Sequence, residues 1–131
     1  MGSAPEPMLV PVLTAKIHRA TVTAADMHYE GSITIDRALM ARADLVAFQQ
    51  VQIYNITNGA RFETYVIEGE AETGTIQING AAAHLARPGD LIIIAAYAMV
   101  PRTLAAGWQP RIVLVDADNR PVAAAAITPA L

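Results

Sequence analysis

One long apolar run stands out in the sequence, Leu91–Val100 (LIIIAAYAMV), introduced by Pro88-Gly89-Asp90. At ten residues it is about half of what a membrane-spanning helix needs, and an apolar run of that length launched by a turn reads as a buried strand. Other segments have the same scale and are rich in Val, Ile, Thr and Tyr: Leu9–Val22, which alternates over part of its length, Ser32–Asp36, Val51–Thr57, Arg61–Ile67, Thr75–Ile78 and Arg111–Val115. Asn58-Gly59 between two of them predicts a type I′ hairpin, whose central residues both take positive φ. Helical character is confined to Arg37–Leu45, behind a capping Asp36, and to about one turn at Ala81–Leu85. No internal repeat or interior linker interrupts the chain. The expectation is a mainly β fold, a small barrel with short helices over residues 8–120, with a flexible leader at 1–7 and a tail at 121–131 that packs on a neighbour or frays. A single barrel of this size offers no deep private pocket, which makes a subunit boundary the natural place for a site.

Composition then removes many chemistries. The 131 residues are 53% hydrophobic and 16% charged, too apolar for a disordered segment. Cysteine is absent, which excludes disulfides, thiolate nucleophiles and Cys-ligated metal centres. With no secretory leader in the sequence, a cytoplasmic location is expected. Net charge is −3 and the basic residues, eight Arg and Lys16, are scattered singly, against a nucleic-acid partner. No stretch is long enough to span a membrane as a helix. His18, His28 and His84 have no ligand spacing and HExxH is missing, so no metal is expected. Ser32 lies outside any GxSxG, and the glycines form neither GxGxxG nor GxxxxGK[ST].

What remains is Gly31-Ser32, where the polar segment Asp26–Glu30 meets a strand. A Ser hydroxyl can attack the preceding carbonyl when the peptide is strained and the developing oxyanion is stabilised. Gly31 permits unusual backbone angles and leaves that carbonyl unshielded. Taken alone, the dipeptide reads as a plain turn before a strand, because Gly-Ser pairs are common.

Its context is more specific. Ala15–Arg19 (AKIHR), Asp26–Ser32 (DMHYEGS), Asn55–Tyr65 (NITNGARFETY) and Ile78–His84 (INGAAAH), in this order and at these separations, resemble the pyruvoyl-dependent aspartate 1-decarboxylases from about Leu13 to Asn119. The resemblance implies a double-ψ β-barrel, assembled as a homotetramer with sites at subunit interfaces, and made as a zymogen that cuts itself between Gly31 and Ser32. Ser32 Oγ would attack the Gly31 carbonyl to give an ester. Elimination would leave dehydroalanine, and hydrolysis with loss of ammonia a covalent pyruvoyl group at the new N-terminus. That ketone forms a Schiff base with a substrate amine and acts as an electron sink, without metal or pyridoxal phosphate. The reaction implied is L-aspartate to β-alanine and CO₂, a supply for pantothenate.

The resemblance also assigns roles. Arg61 matches an arginine for a substrate carboxylate, suited to it by a planar fork. Lys16 matches a lysine near the site, contributed by a neighbouring subunit. Tyr65 matches the proton donor after CO₂ loss, and Thr64 a hydroxyl used in both self-cleavage and substrate contact. Neighbours on a strand face opposite sides, so these two share a site only at a strand end or a distortion. Gly80, Ala81 and Ala82 match a stretch whose amides meet the substrate carboxylate. Asn79, His18, Tyr29 and Glu30 are secondary candidates, while His28 and His84 read as structural. The chain departs from the pattern at Ile33, often small or Cys in the family, at Val100–Gly107 (VPRTLAAG), which lacks acidic character, and in an extension before Met8. Those departures leave open another small amino diacid, such as a substituted aspartate, as substrate; an unprocessed binding barrel is the competing reading, and some members of the family need a maturation factor.

Overall fold

The computed structural model describes residues 8–123; the expected leader, and the tail beyond 123, lie outside the described residues. Eight strands form one sheet: β1 (Leu9–Thr21), β2 (Ala24–Asp26), β3 (Ser32–Asp36), β4 (Gln50–Asn55), β5 (Arg61–Gly69), β6 (Ile76–Asn79), β7 (Leu91–Pro101) and β8 (Arg111–Leu114). Between them lie α1 (Arg37–Ala43), a 3-10 turn at Gly80–His84 and α2 (Arg102–Ala105). Among the described residues no helix is long and apolar enough to cross a membrane.

The strand order is β2-β6-β3-β5-β4-β7-β1-β8. Only Val22 and Thr23 separate β1 from β2, although these strands lie near opposite ends of that order. The sheet therefore curls back on itself, and the Thr23 N–H donates to the Ile76 carbonyl at 2.8 Å where it does so. Parallel pairs β1–β8, β2–β6 and β3–β5 cross between antiparallel ones, as in a double-ψ barrel. The result is the mainly β barrel with short helices that the sequence led us to expect. Alternation supplies its core: Ile17, Ile33, Ile35, Ile53, Ile76, Ile78, Ile92 and Ile94 are all fully buried, and β-branched side chains suit a pleated, half-buried surface.

Several local expectations shift. The helix from Arg37 stops at Ala43, because Asp44 turns left-handed (φ 57°) and closes the C-terminus. The type I′ hairpin at Asn58-Gly59 does not form; only Gly59 has positive φ (79°). Asn55 Oδ1 instead accepts from the Thr57 and Asn58 N–H groups at 2.9 and 3.2 Å, opening a wider loop. The short strand β2 and the helix α2, inside the VPRTLAAG segment, were not anticipated. Pro121 and Val122 pair back onto Val115 and Leu114.

Asp36 caps α1 as expected and also binds the loop after β5. Its carboxylate accepts from the Ala38, Glu72 and Gly74 N–H groups at 2.8, 3.0 and 2.9 Å. Burial acts to raise its pKa, but the N–H groups of Gly74, Glu72, Ala38 and Leu39 outweigh it and hold the pKa below the ordinary value. A carboxylate with a depressed folded pKa contributes stability that is present above its unfolded pKa and lost as pH falls through the folded one. Asp36→Ala is thus expected to cost on the order of 3 kcal/mol at neutral pH, as a lost cap leaving buried donors unpaired. Denaturant titration should show the penalty shrinking below pH 4. An equal penalty at pH 7 and pH 3 would refute this account.

Candidate active site

The residues singled out from the sequence fall into two groups. The first surrounds the Gly31–Ser32 peptide. Ser32 begins β3 opposite Asn79 of β6 and is 1% exposed, whereas the residues before it, Met27 to Gly31, are exposed. Its hydroxyl donates to the Glu30 carbonyl at 3.0 Å, which folds Oγ back along the peptide it would attack. Asn79 Nδ2 donates to the same Oγ at 3.0 Å and to Thr34 Oγ1 at 3.0 Å. Gln77 Nε2 in turn donates to Asn79 Oδ1 at 2.8 Å, which fixes the amide's orientation. Asn79 stands at the N-cap position of the 3-10 turn but does not cap it, its side chain being directed to Ser32. Thr34 and Gln77 went unnoticed in the sequence. Their signal was period-two alternation, which puts Thr34 on the face of Ser32 and Gln77 on that of Asn79.

Gly31 behaves differently from the expectation. Its φ is not positive, and a Cβ added there would meet nothing within 4 Å. The constrained glycine is Gly80, with φ 74° and its would-be Cβ 2.6 Å from Gly31 Cα and 2.9 Å from Gly31 N. The Tyr29 carbonyl lies 3.2 Å from the same point, while the Tyr29 side chain is exposed. Backbone thus rests on backbone. Ala81 and Ala82 follow in the 3-10 turn, exposed and half-buried respectively, with their N–H groups at its open end.

Thr64 and Tyr65 adjoin this group through β5. The parallel register Ile33↔Val66, carried back one residue, sets Ser32 beside Tyr65. Both Thr64 and Tyr65 line one open cleft of about 470 Å³ with Phe48, Gln50 and Glu63. They can do so because β3 joins β5 only from Val66, so the two residues sit where one flank of β5 is still unpaired. On the other flank the ladder slips: Gln50 pairs with Tyr65, yet Val66 bonds both Gln49 and Phe48.

The second group lies farther round the barrel. Arg61 starts β5 four residues before Tyr65, about 13 Å away at the rise of a strand. Lys16 on β1 is aligned through Ala95 and Gln52 with Glu63, three strand spacings or about 14 Å from β5. His18 is half-buried beside a bulge at Arg19 (φ 64°), with Nδ1 buried and without a hydrogen-bond partner among the described residues. Burial, then the charges of Lys16 and Arg19, push its pKa down, so the ring is neutral at neutral pH. His28 and His84, read as structural, are both exposed; the Asp26 carboxylate holds the backbone N–H of His28, at 3.0 Å.

A family model described as aspartate decarboxylase matches residues 8–122. The chain belongs to the aspartate decarboxylase family. Among its curated relatives, the aspartate 1-decarboxylase of Myxococcus xanthus (strain DK1622) is 58% identical over 108 residues, which cover 82% of this chain and 83% of the relative. For an aspartate decarboxylase family member the division into two groups has a chemical reading. The buried hydroxyl, its fixed amide partner and the packed glycine form a unit able to act on the chain's own peptide. Arg61 is exposed and Lys16 half-buried, on strands three spacings apart. Among the described residues no three His, Asp or Glu side chains converge.

Proposed function

We propose that this chain is an aspartate 1-decarboxylase, a carboxy-lyase that releases CO₂ from L-aspartate and leaves β-alanine, a precursor of pantothenate. In this reading it first cuts itself between Gly31 and Ser32, converting Ser32 into a pyruvoyl group. The observation that carries the reading is the buried Ser32 hydroxyl, held by Asn79 against its own upstream peptide while Gly80 presses on Gly31. Nucleophile and carbonyl are covalent neighbours, so alignment rather than encounter governs the step. A fixed rotamer and a backbone that cannot drift supply that alignment.

The same residues fit the group that cleavage would leave. The β3–β5 register carried back one residue sets Ser32 beside Tyr65, which lines the cleft, and open space beside Gly31 lets the cut end move aside. Once formed, a pyruvoyl ketone supplies an electron sink for the departing carboxylate. Arg61 presents a guanidinium edge to one substrate carboxylate, and the Ala81 and Ala82 N–H groups meet the other. Lys16 adds positive charge near the anionic substrate. Thr64 contacts substrate and assists the cleavage, and the Tyr65 hydroxyl returns a proton to the carbon that has lost CO₂. Arg61 and Lys16 stand too far from Ser32 on one chain to share a small diacid with it. We place them in a neighbouring subunit's site, in a homotetramer.

Mass spectrometry of the denatured protein tests the reading before any substrate is assumed. Fragments 1–31 and 32–131 are expected, the larger carrying a borohydride-reducible ketone, and Ser32→Ala should show neither cleavage nor turnover. Only intact chain after prolonged warming, with or without lysate as a source of a maturation factor, would overturn it. Release of CO₂ from a 3-substituted aspartate but not from aspartate would redirect the substrate.

A further inference from the structure

Arg61 is held in an unusual way for an anion-binding arginine. Its guanidinium carbon lies 4.1 Å from the centroid of the Tyr54 ring, its cross-strand neighbour on β4. Among the described residues it makes no hydrogen bond or ion pair, so the ring supports one face of the plane and the N–H edge stays open. A carboxylate partner would occupy that edge and compete with substrate, whereas an aromatic face attracts the cation without using a donor. Tyr54 is itself held, because its hydroxyl lies 2.8 Å from that of Tyr97. Tyr54 pairs with Ile93 of β7, and Tyr97 stands four residues farther along β7, with Ala95, 1% exposed, midway between Ile93 and Tyr97. The small residue there leaves room for the pair. The Tyr54 hydrogen bond, desolvation and the nearness of Tyr54 raise the Tyr97 pKa, with Arg61 acting weakly the other way, so the Tyr97 hydroxyl stays protonated.

We propose that Tyr54 and Tyr97 are positioning residues for Arg61, the ring of Tyr54 orienting the guanidinium edge toward a substrate carboxylate and the Tyr97 hydroxyl locking that ring in place. This rests on the reading of Arg61 as a carboxylate holder. The pair acts on substrate affinity and leaves the chemistry at Ser32 untouched.

The test uses the self-processed full-length enzyme, with KM and kcat for aspartate and calorimetric binding of succinate, a diacid that lacks the amine. Tyr54→Leu is expected to raise KM and the succinate Kd by about tenfold, with kcat within about threefold, as the loss of an orienting cation–π contact predicts. Tyr54→Phe keeps the ring and should recover most of the loss, while Tyr97→Phe should cost a few-fold in KM. In an Arg61→Ala background, Tyr54→Leu should have no further effect, which a merely structural role could not produce. An unchanged KM in Tyr54→Leu beside a raised KM in Arg61→Ala overturns this proposal alone, as does an equal Tyr54→Leu penalty with and without Arg61. An unchanged KM and succinate Kd in Arg61→Ala overturn the carboxylate reading and the proposal with it.

Discussion

Gly80→Ala is expected to slow self-cleavage by about 100-fold or more while leaving a folded barrel, the effect a displacement of about 1 Å has on a reaction that depends on alignment. The new methyl carbon would lie 2.6 Å from Gly31 Cα and 2.9 Å from Gly31 N, distances at which something must move. What it meets is main chain, which cannot rotate away like the end of a side chain. Residue 80 also holds φ 74°, a region alanine enters at a cost of about 1–2 kcal/mol. The exposed residues 27–31 yield more readily than the buried ends of β3 and β6, so the shift falls on Gly31 and carries its carbonyl away from Ser32 Oγ. Gly31→Ala is the matched control. Its Cβ would enter open space, so it should be processed much faster than Gly80→Ala. Denaturing mass spectra taken over a time course, with circular dichroism to verify folding, decide the matter. Processing of Gly80→Ala at the parent rate would show that contact with Gly31 does not control cleavage.

The contrast between these two glycines shows how far the sequence could be read. Short-range rules carried the strands to within a residue or two, and the Asp36 cap, because alternation and capping depend on neighbours a few positions apart. They failed at Asn58-Gly59, where a competing side chain three residues upstream captured the turn's N–H groups. They placed conformational demand on Gly31, beside the reactive bond, when it falls on Gly80, forty-nine positions away in sequence and in contact through the sheet. Tyr54 and Tyr97 were invisible for the same reason. Each reads as an ordinary strand tyrosine until the order β5-β4-β7 makes them neighbours of each other and of Arg61. Residues belonging to motifs were legible one at a time; which of them share a chain's site depends on strand order, a non-local property.

That question of sharing sets the other large expected effect. In the proposed reading, with Ser32 and Arg61 in different groups on one chain, a site that uses both draws them from two subunits. Ser32→Ala should form no ketone and be inactive as a pure oligomer. Arg61→Ala should process normally but lose about 100-fold in kcat/KM, because a bidentate, charge-assisted contact contributes on the order of 3 kcal/mol. Co-expression under two affinity tags, followed by sequential capture, yields mixed oligomers. At an interface shared by two chains, some sites then combine an intact Ser32 from one subunit with an intact Arg61 from its neighbour. Random mixing of equal amounts returns roughly a quarter of parental activity, a rise of more than tenfold over either variant alone, because repeated copies of one interface sample every pairing of subunits. A site contained within one chain gives the opposite result: every subunit carries one lesion, and mixing restores nothing. Activity of the mixed oligomers at the level of the Arg61→Ala subunits alone would return Arg61 to Ser32's own chain.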